Sequence, residues 1–317
     1  MDKDARIYVA GHRGLVGQAL VRHLQKEGFS RLILAGRAEL DLTDPEATAA
    51  FFAARKPEYL ICAAGKVGGI LANKTYPVDF LNENILIHTS LLKAAQRHGT
   101  RKVLLLGSSC IYPRLAPQPI REDSLLTGPL ESTNQWYAIA KIAALMLGQA
   151  YREQYGLNVI SAMPTNLYGP GDNFDLENSH VLPAMLRKFH EAKAGGLKSV
   201  TLWGSGAPLR EFLHVDDLAG ASLFLMEHYE APEVINIGSG RESTIRELAG
   251  LVAEVVGFDG EIVWDTSKPD GTPRKLLDIS KISSFGWRPR VALREGLAET
   301  YRWFLAQPES RIRGLVK

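Results

Sequence analysis

The sequence of 317 residues has only two cysteines, Cys62 and Cys110. Two thiols cannot make the disulfide framework of a small secreted domain, and they fit a reducing compartment. No apolar run reaches the roughly 20 residues that a membrane helix needs. The opening stretch "MDKDARIYVAGHRG" is charged and then strand-like, without the apolar centre of a signal peptide. Net charge is only +2, so bulk attraction to nucleic acid or an anionic membrane is excluded and basic residues must act by placement. Repeats and low-complexity segments are absent, and no metal-ligand set is expected. The remaining expectation is a cytoplasmic enzyme with a small-molecule substrate, without nucleic-acid or membrane partners.

What is present is a regular alternation. Aliphatic runs at 6–11, 31–36, 59–64, 101–109 and 157–164 read as strands. Helical patterns lie at 15–28, 45–57, 82–99 and 136–156, with Pro45 suited to a first turn and Gly99 to a helix end. Strands without polar alternation, separated by helices, predict an α/β fold with a doubly wound parallel sheet of Rossmann type. "EVINIGSG" (233–240) reads as a late strand of that sheet. A helix over 243–257 would take Ser243 as N-cap. We expect a Rossmann domain over 1–168, with 212–240 returning to it. A smaller, interleaved, partly discontinuous α/β substrate domain would cover 169–317.

"GHRGLVG" places Gly11, Gly14 and Gly17 after a strand and at a helix start. That setting favours a dinucleotide fingerprint over an idle glycine turn, because glycine permits close backbone approach to a pyrophosphate at a helix N-terminus. An NAD site usually ends its second strand with an acidic residue for the ribose 2′-hydroxyl. Here that place holds Arg37, and Arg13 lies inside the loop. Two guanidinium groups suit a 2′-phosphate, so the expected cofactor is NADP(H).

Tyr137 and Lys141, in "YAIAK", are spaced i, i+4 and share one helix face. A lysine cation lowers a neighbouring phenol's pKa. The phenol can protonate an oxyanion formed by hydride transfer. Ser108, ending the strand before, can hold the reacting oxygen.

The chain resembles the GDP-L-fucose synthase family, the GDP-4-keto-6-deoxy-D-mannose 3,5-epimerase/4-reductases of the extended short-chain dehydrogenase/reductase group. The resemblance runs nearly end to end. It rests on "AGHRGLVG", "AAGKVGGILANKTYP", "LGSSCIYP", "YAIAKIA", "MPTNLYGPGDNF", "NSHVLPA", "WGSG", "REFLHVDD" and "KPDGTPRKLLD". It implies an epimerisation pair, with Cys110 as thiolate base and His180 as acid, while Ser108 and Tyr137 stabilise the enolate oxygen. It implies cofactor contacts from Gly11, His12, Arg13, Gly14, Leu15, Val16, Gly17, Arg37, Asp41, Leu106, Gly107, Ser108, Lys141, Pro164, Thr165, Asn166, Leu167 and His180. It places Lys188, Trp203, Arg210 and Asp270 on the nucleotide-sugar, and it implies a homodimer joined through 82–99 and 136–156. Read without it, His12, His88, His98 and His228 are structural or solvated, Cys62 is a buried small hydrophobe, and Arg210 can pair locally with Glu211. The order of the two epimerisations, and whether Cys110 serves C3, C5 or both, stay open. Two competing readings are an NAD-retaining 4-epimerase or 4,6-dehydratase, and a non-catalytic NADP-binding scaffold.

Overall fold

Aliphatic stretches too short for helices become strands in the computed structural model, which describes residues 1–176, 179–268 and 270–315, with the backbone alone at Ile70. Asn178 of "NSHVLPA" and Pro269 of "KPDGTPRKLLD" lie outside the described residues. The strands are β1 (Ile7–Ala10), β2 (Leu32–Ile33), β3 (Tyr59–Cys62), β4 (Lys102–Leu106), β5 (Asn158–Pro164) and β6 (Asn166–Tyr168). They continue with β7 (Ser199–Trp203), β8 (Leu209–His214), β9 (Ile235–Ile237), β10 (Glu242–Thr244), β11 (Glu261–Asp265) and β12 (Arg274–Lys275). The helices are α1 (Leu15–Lys26), α2 (Pro45–Arg55), α3 (Ile70–Thr75), α4 (Pro77–Arg97) and α5 (Gln135–Tyr155). After them come α6 (Val181–Ala194), α7 (Val215–His228), α8 (Ile245–Val256), α9 (Ser280–Ser284) and α10 (Leu293–Ala306).

The main sheet has six strands in the order β2-β1-β3-β4-β5-β9, with every neighbouring pair parallel. The late strand within 233–240 is therefore β9, beside β5. Both faces are covered. Tyr8 and Ala10 join Phe52, Leu91, Leu105 and Val159 on one side. Ile7 and Val9 join Leu20, Leu24, Leu104 and Leu218 on the other. Each such fully buried large side chain contributes about 1.5–3 kcal/mol.

A third core gathers Leu186, Phe189, Leu202, Leu248, Val252 and Phe304. It underlies a smaller sheet, β10-β8-β12, with β6 also paired to β8, and the two-stranded β11–β7. β6 follows β5 after one residue, so the small sheet starts where the main sheet ends. Doubly wound sheets bind ligands outside the carboxyl ends of their strands. Here that edge carries the loops after β1, β3, β4 and β5.

Local chemistry moves several boundaries. The second strand shrinks to Leu32–Ile33, and α4 starts at Pro77, whose ring suits a first turn. The N-cap of α8 is Thr244, not Ser243. Thr244 Oγ1 accepts from Glu247 N at 3.0 Å, and Glu247 Oε2 accepts from Thr244 N at 2.8 Å. Ser243 sits one residue earlier in β10, opposite Arg210.

Candidate active site

The loop between β1 and α1 is shaped by its glycines. Gly11 has φ +81°, and a Cβ there would stand 2.7 Å from the Ala63 backbone. A Cβ on Gly17 would run into the carbonyl oxygen of Gly11. Gly14 N-caps α1 without a side-chain cap, which leaves the first-turn amides for an anion. A Cβ on Gly36 would meet the Arg13 guanidinium, so that group lies against the chain just before Arg37. Arg37 is exposed and pairs with Glu83 at 3.5 Å. An exposed pair of this kind is worth at most about 1 kcal/mol, so Arg37 is free to take a phosphate. Asp41 accepts from Thr43 N and Oγ1 at 3.0 and 2.8 Å, which holds its carboxylate below the usual range. His12 is half-buried in the loop, and burial, then Arg13, lower its pKa. These residues fit a dinucleotide with a 2′-phosphate.

Gly107 follows β4 so tightly that a Cβ would enter the side chain of Met163. Ser108 comes next and N-caps the short turn Ser109–Ile111. Its Oγ accepts from Cys110 N at 3.2 Å. Across from it, α5 presents Tyr137 and Lys141. Lys141 is buried; its Nζ donates to Leu106 O at 2.8 Å and lies 5.8 Å from the Tyr137 ring centroid. Burial lowers its pKa, against the pull of Cys62. The phenol departs from expectation. Burial, then the neighbouring Cys110, push the Tyr137 pKa up, and only the hydrogen bond with Ser108 opposes them. Tyr137 is therefore firmly protonated, as a proton donor should be.

Cys110 is held by contacts that sequence reasoning missed. Asn134 Nδ2 donates to its Sγ at 3.1 Å, and Lys275 Nζ donates at 3.5 Å. Asn134 is the N-cap residue of α5 and makes no side-chain cap bond; its Nδ2 is spent on the sulfur. Burial pushes the thiol up. The Lys275 charge and the bonds from Ser108, Lys275 and Asn134 more than offset that, and the net shift is downward. His180 N-caps α6. The residue is exposed, and desolvation, then Lys275, lower its pKa. Cys62, by contrast, is fully buried, and burial raises its thiol.

The elements around the third core carry the remaining group. Trp203, 69 % exposed, closes β7. The ammonium groups of Lys188 and Lys268 lie 5.7 and 5.6 Å from its ring centroid. Asp270 accepts from Ser205 N and Oγ at 2.9 and 2.6 Å, which tethers the 270–275 loop. Arg210 lies beside Gly271 of that loop. Glu211 instead accepts from Gly240 N and Leu277 N, so a local Arg210–Glu211 ion pair is not how these neighbours are used. After Pro164, Thr165 Oγ1 and Asn166 Nδ2 both donate to Glu211 O, and Leu167 is half-buried. Asn166 thus spends its amide on the joint between the sheets. Leu15 and Val16 lie half-buried in the first turn of α1.

A parallel sheet with a glycine cradle after its first strand, and Tyr137 and Lys141 on the helix before β5, is the plan of the extended short-chain dehydrogenases/reductases. The model of the NAD dependent epimerase/dehydratase family matches residues 7–238. GDP-L-fucose synthase 1 of Arabidopsis thaliana is 62% identical over 304 residues, 96% of this chain and 94% of that protein. Among solved structures, a GDP-6-OMe-4-keto-L-xylo-heptose reductase of C. jejuni has TM-score 0.92 at 38% identity, covering 97% of this chain and 99% of that one. A GDP-L-fucose synthetase of Naegleria fowleri bound to NADP has TM-score 0.89 at 31% identity, covering 96% and 95%. The chain belongs to the GDP-L-fucose synthase family, within the NAD dependent epimerase/dehydratases.

Proposed function

We propose that the chain converts GDP-4-keto-6-deoxy-D-mannose to GDP-L-fucose, by 3,5-epimerisation followed by NADPH-dependent reduction of the 4-ketone. The observation that carries the epimerase half is Cys110, whose Sγ receives hydrogen bonds from Asn134 and Lys275 beside the reductase tyrosine.

The C4 ketone acidifies the hydrogens on C3 and C5. The Cys110 thiolate takes one such proton, the C–H electrons pass into an enolate, and Ser108 and Tyr137 bond the enolate oxygen. His180 returns a proton to the carbon from the opposite face. Each inversion leaves a thiol and a neutral imidazole, so a proton must move back before the next. NADPH, when bound, supplies the hydride for C4. Tyr137 then gives its proton to the C4 oxygen, and Lys141 stabilises the charge left on the phenol. The cradle 11–17, with Arg13 and Arg37 at the 2′-phosphate, holds the cofactor; Lys188, Trp203 and Arg210 hold the nucleotide-sugar, with Asp270 fixing their loop. The arginine pair disfavours an NAD-retaining 4-epimerase or dehydratase.

Three further readings belong with this one. The chain divides functionally at 168/169, with 212–240 serving the cofactor side. It forms a homodimer through α4 and α5, which leave Val78, Trp136 and Ile139 exposed. It works in a reducing cytoplasm, where both free cysteines stay reduced. Light scattering tests the dimer. The activity is tested by adding NADPH and GDP-4-keto-6-deoxy-D-mannose. The NADPH absorbance band should fall and GDP-L-fucose should form; an unchanged band, or a product epimerised at neither centre, contradicts the reading.

A further inference from the structure

Lys275 comes to the site from far along the chain, 165 residues from Cys110, and its backbone is fixed on two sides. In β12 it pairs with Arg210 of β8. Its neighbour Leu276 donates N–H to Gln118 Oε1 at 2.9 Å and accepts from Ile120 N at 2.7 Å. Arg274, on its other side, is taken by Glu242. A lysine anchored this way has little freedom except along its stem, and its Nζ ends at Cys110 Sγ. The titratable groups facing the thiol are Lys275 from β12 and Tyr137 from α5; Lys275 also faces His180 from α6. Asn134 adds a neutral donor to the sulfur, and Ser108 Oγ accepts from Cys110 N. Lys275 is thus the cation common to both members of the pair.

We propose that Lys275 is the positioning residue of the epimerisation: its ammonium, 3.5 Å from Cys110 Sγ, holds the thiol ionised, opposes the imidazolium of His180, and so sets the pH at which the pair works. This rests on reading Cys110 as base and His180 as acid. A cation favours the thiolate and opposes the imidazolium, so it draws both titrations the same way. It therefore slides the whole activity bell towards acid rather than widening it. Lys275 takes no proton from substrate. It acts through Cys110 and His180 alone.

The test uses the full chain with Lys275→Met and Lys275→Arg. Alkylation of Cys110 by iodoacetamide, followed by peptide mass against pH, reads the thiolate without substrate. Lys275→Met should move the alkylation midpoint up by about one pH unit or more, the size of effect a close opposite charge has on an ionisable group. Lys275→Arg should stay near the parent, which also guards against a fold defect. Exchange of the C3 and C5 hydrogens with deuterated water should show both limbs of its pH profile moved towards alkali in Lys275→Met. A residue with only a structural role would lower the rate and leave both limbs in place. An unmoved alkylation midpoint overturns the proposal. So does a moved midpoint with an unmoved exchange profile. The underlying reading fails separately, if Cys110→Ser keeps its exchange.

Discussion

The Arg13 guanidinium lies against Gly36, so that a Cβ added at Gly36 would stand 2.8 Å from Arg13 Cζ. The obstacle is the end of a flexible side chain, so Gly36→Ala should fold and displace the arginine. A hydrogen bond to a charged group is worth about 1.5–3 kcal/mol, which corresponds to a loss of about 10- to 100-fold in affinity. The KM for NADPH should rise by about that factor while the KM for NADH changes little. Arg37→Asp should go further by adding repulsion to the 2′-phosphate. Steady-state kinetics with both cofactors decides it; equal changes for the two would contradict the arginine site.

The start of α8 offers a stability test. Thr244→Ala removes the cap on Glu247 N and should cost about 1 kcal/mol, read as a lower urea midpoint with the same slope. Ser243→Ala, one residue earlier in β10, should change the midpoint by much less. If the two substitutions cost the same, the capping box is not what starts this helix.

Asp172 makes stability depend on pH. Its Oδ1 accepts from Asn173 N at 2.7 Å, whereas its buried Oδ2 has no partner among the described residues. Burial raises its pKa from 3.8 to about 7, against the Asn173 bond and Arg313. A raised folded-state pKa means the folded chain holds a proton that the unfolded chain has lost. The associated stability is complete below the unfolded value and is lost as pH rises through about 7. Asp172→Asn keeps the acceptor and removes the titration. It should melt at a higher temperature than the parent near pH 8, and the gap should close towards about pH 4. A gap that does not vary with pH would show that Asp172 does not titrate in this range.

Local features were legible in the sequence, and non-local ones were not. The glycine loop, its strand and its helix are contiguous, so Gly11, Gly14 and Gly17 could be read directly. Tyr137 and Lys141 share a helix face by spacing alone. Lys275 and Asn134 could not be found that way. Lys275 is delivered by strand pairing between β12 and β8, and Asn134 matters because its Nδ2 reaches a sulfur 24 residues earlier in the chain. The only signal for Lys275 was a lysine within "KPDGTPRKLLD". Burial, which raises the Tyr137 phenol's pKa, cannot be read from an i, i+4 spacing. Ser243 and Thr244 differ by one residue, and it is the Thr244 side chain that accepts from Glu247 N.

The central claim is that one site runs two separable chemistries, with Cys110 moving carbon-bound protons and Tyr137 serving the reduction. Deuterium incorporation at C3 and C5, followed by mass spectrometry beside NADPH consumption, tests it directly. Tyr137→Phe should slow reduction by about 10²- to 10⁴-fold, the usual range for a lost general acid, while exchange survives, weakened by one lost enolate hydrogen bond. Cys110→Ser replaces the thiol by a hydroxyl that is a far poorer base at neutral pH. Exchange should collapse in that variant, while the ketone is still reduced, giving the unepimerised 6-deoxy sugar. If Cys110→Ser exchanges both hydrogens at the parent rate, Cys110 is a structural thiol and the account is wrong.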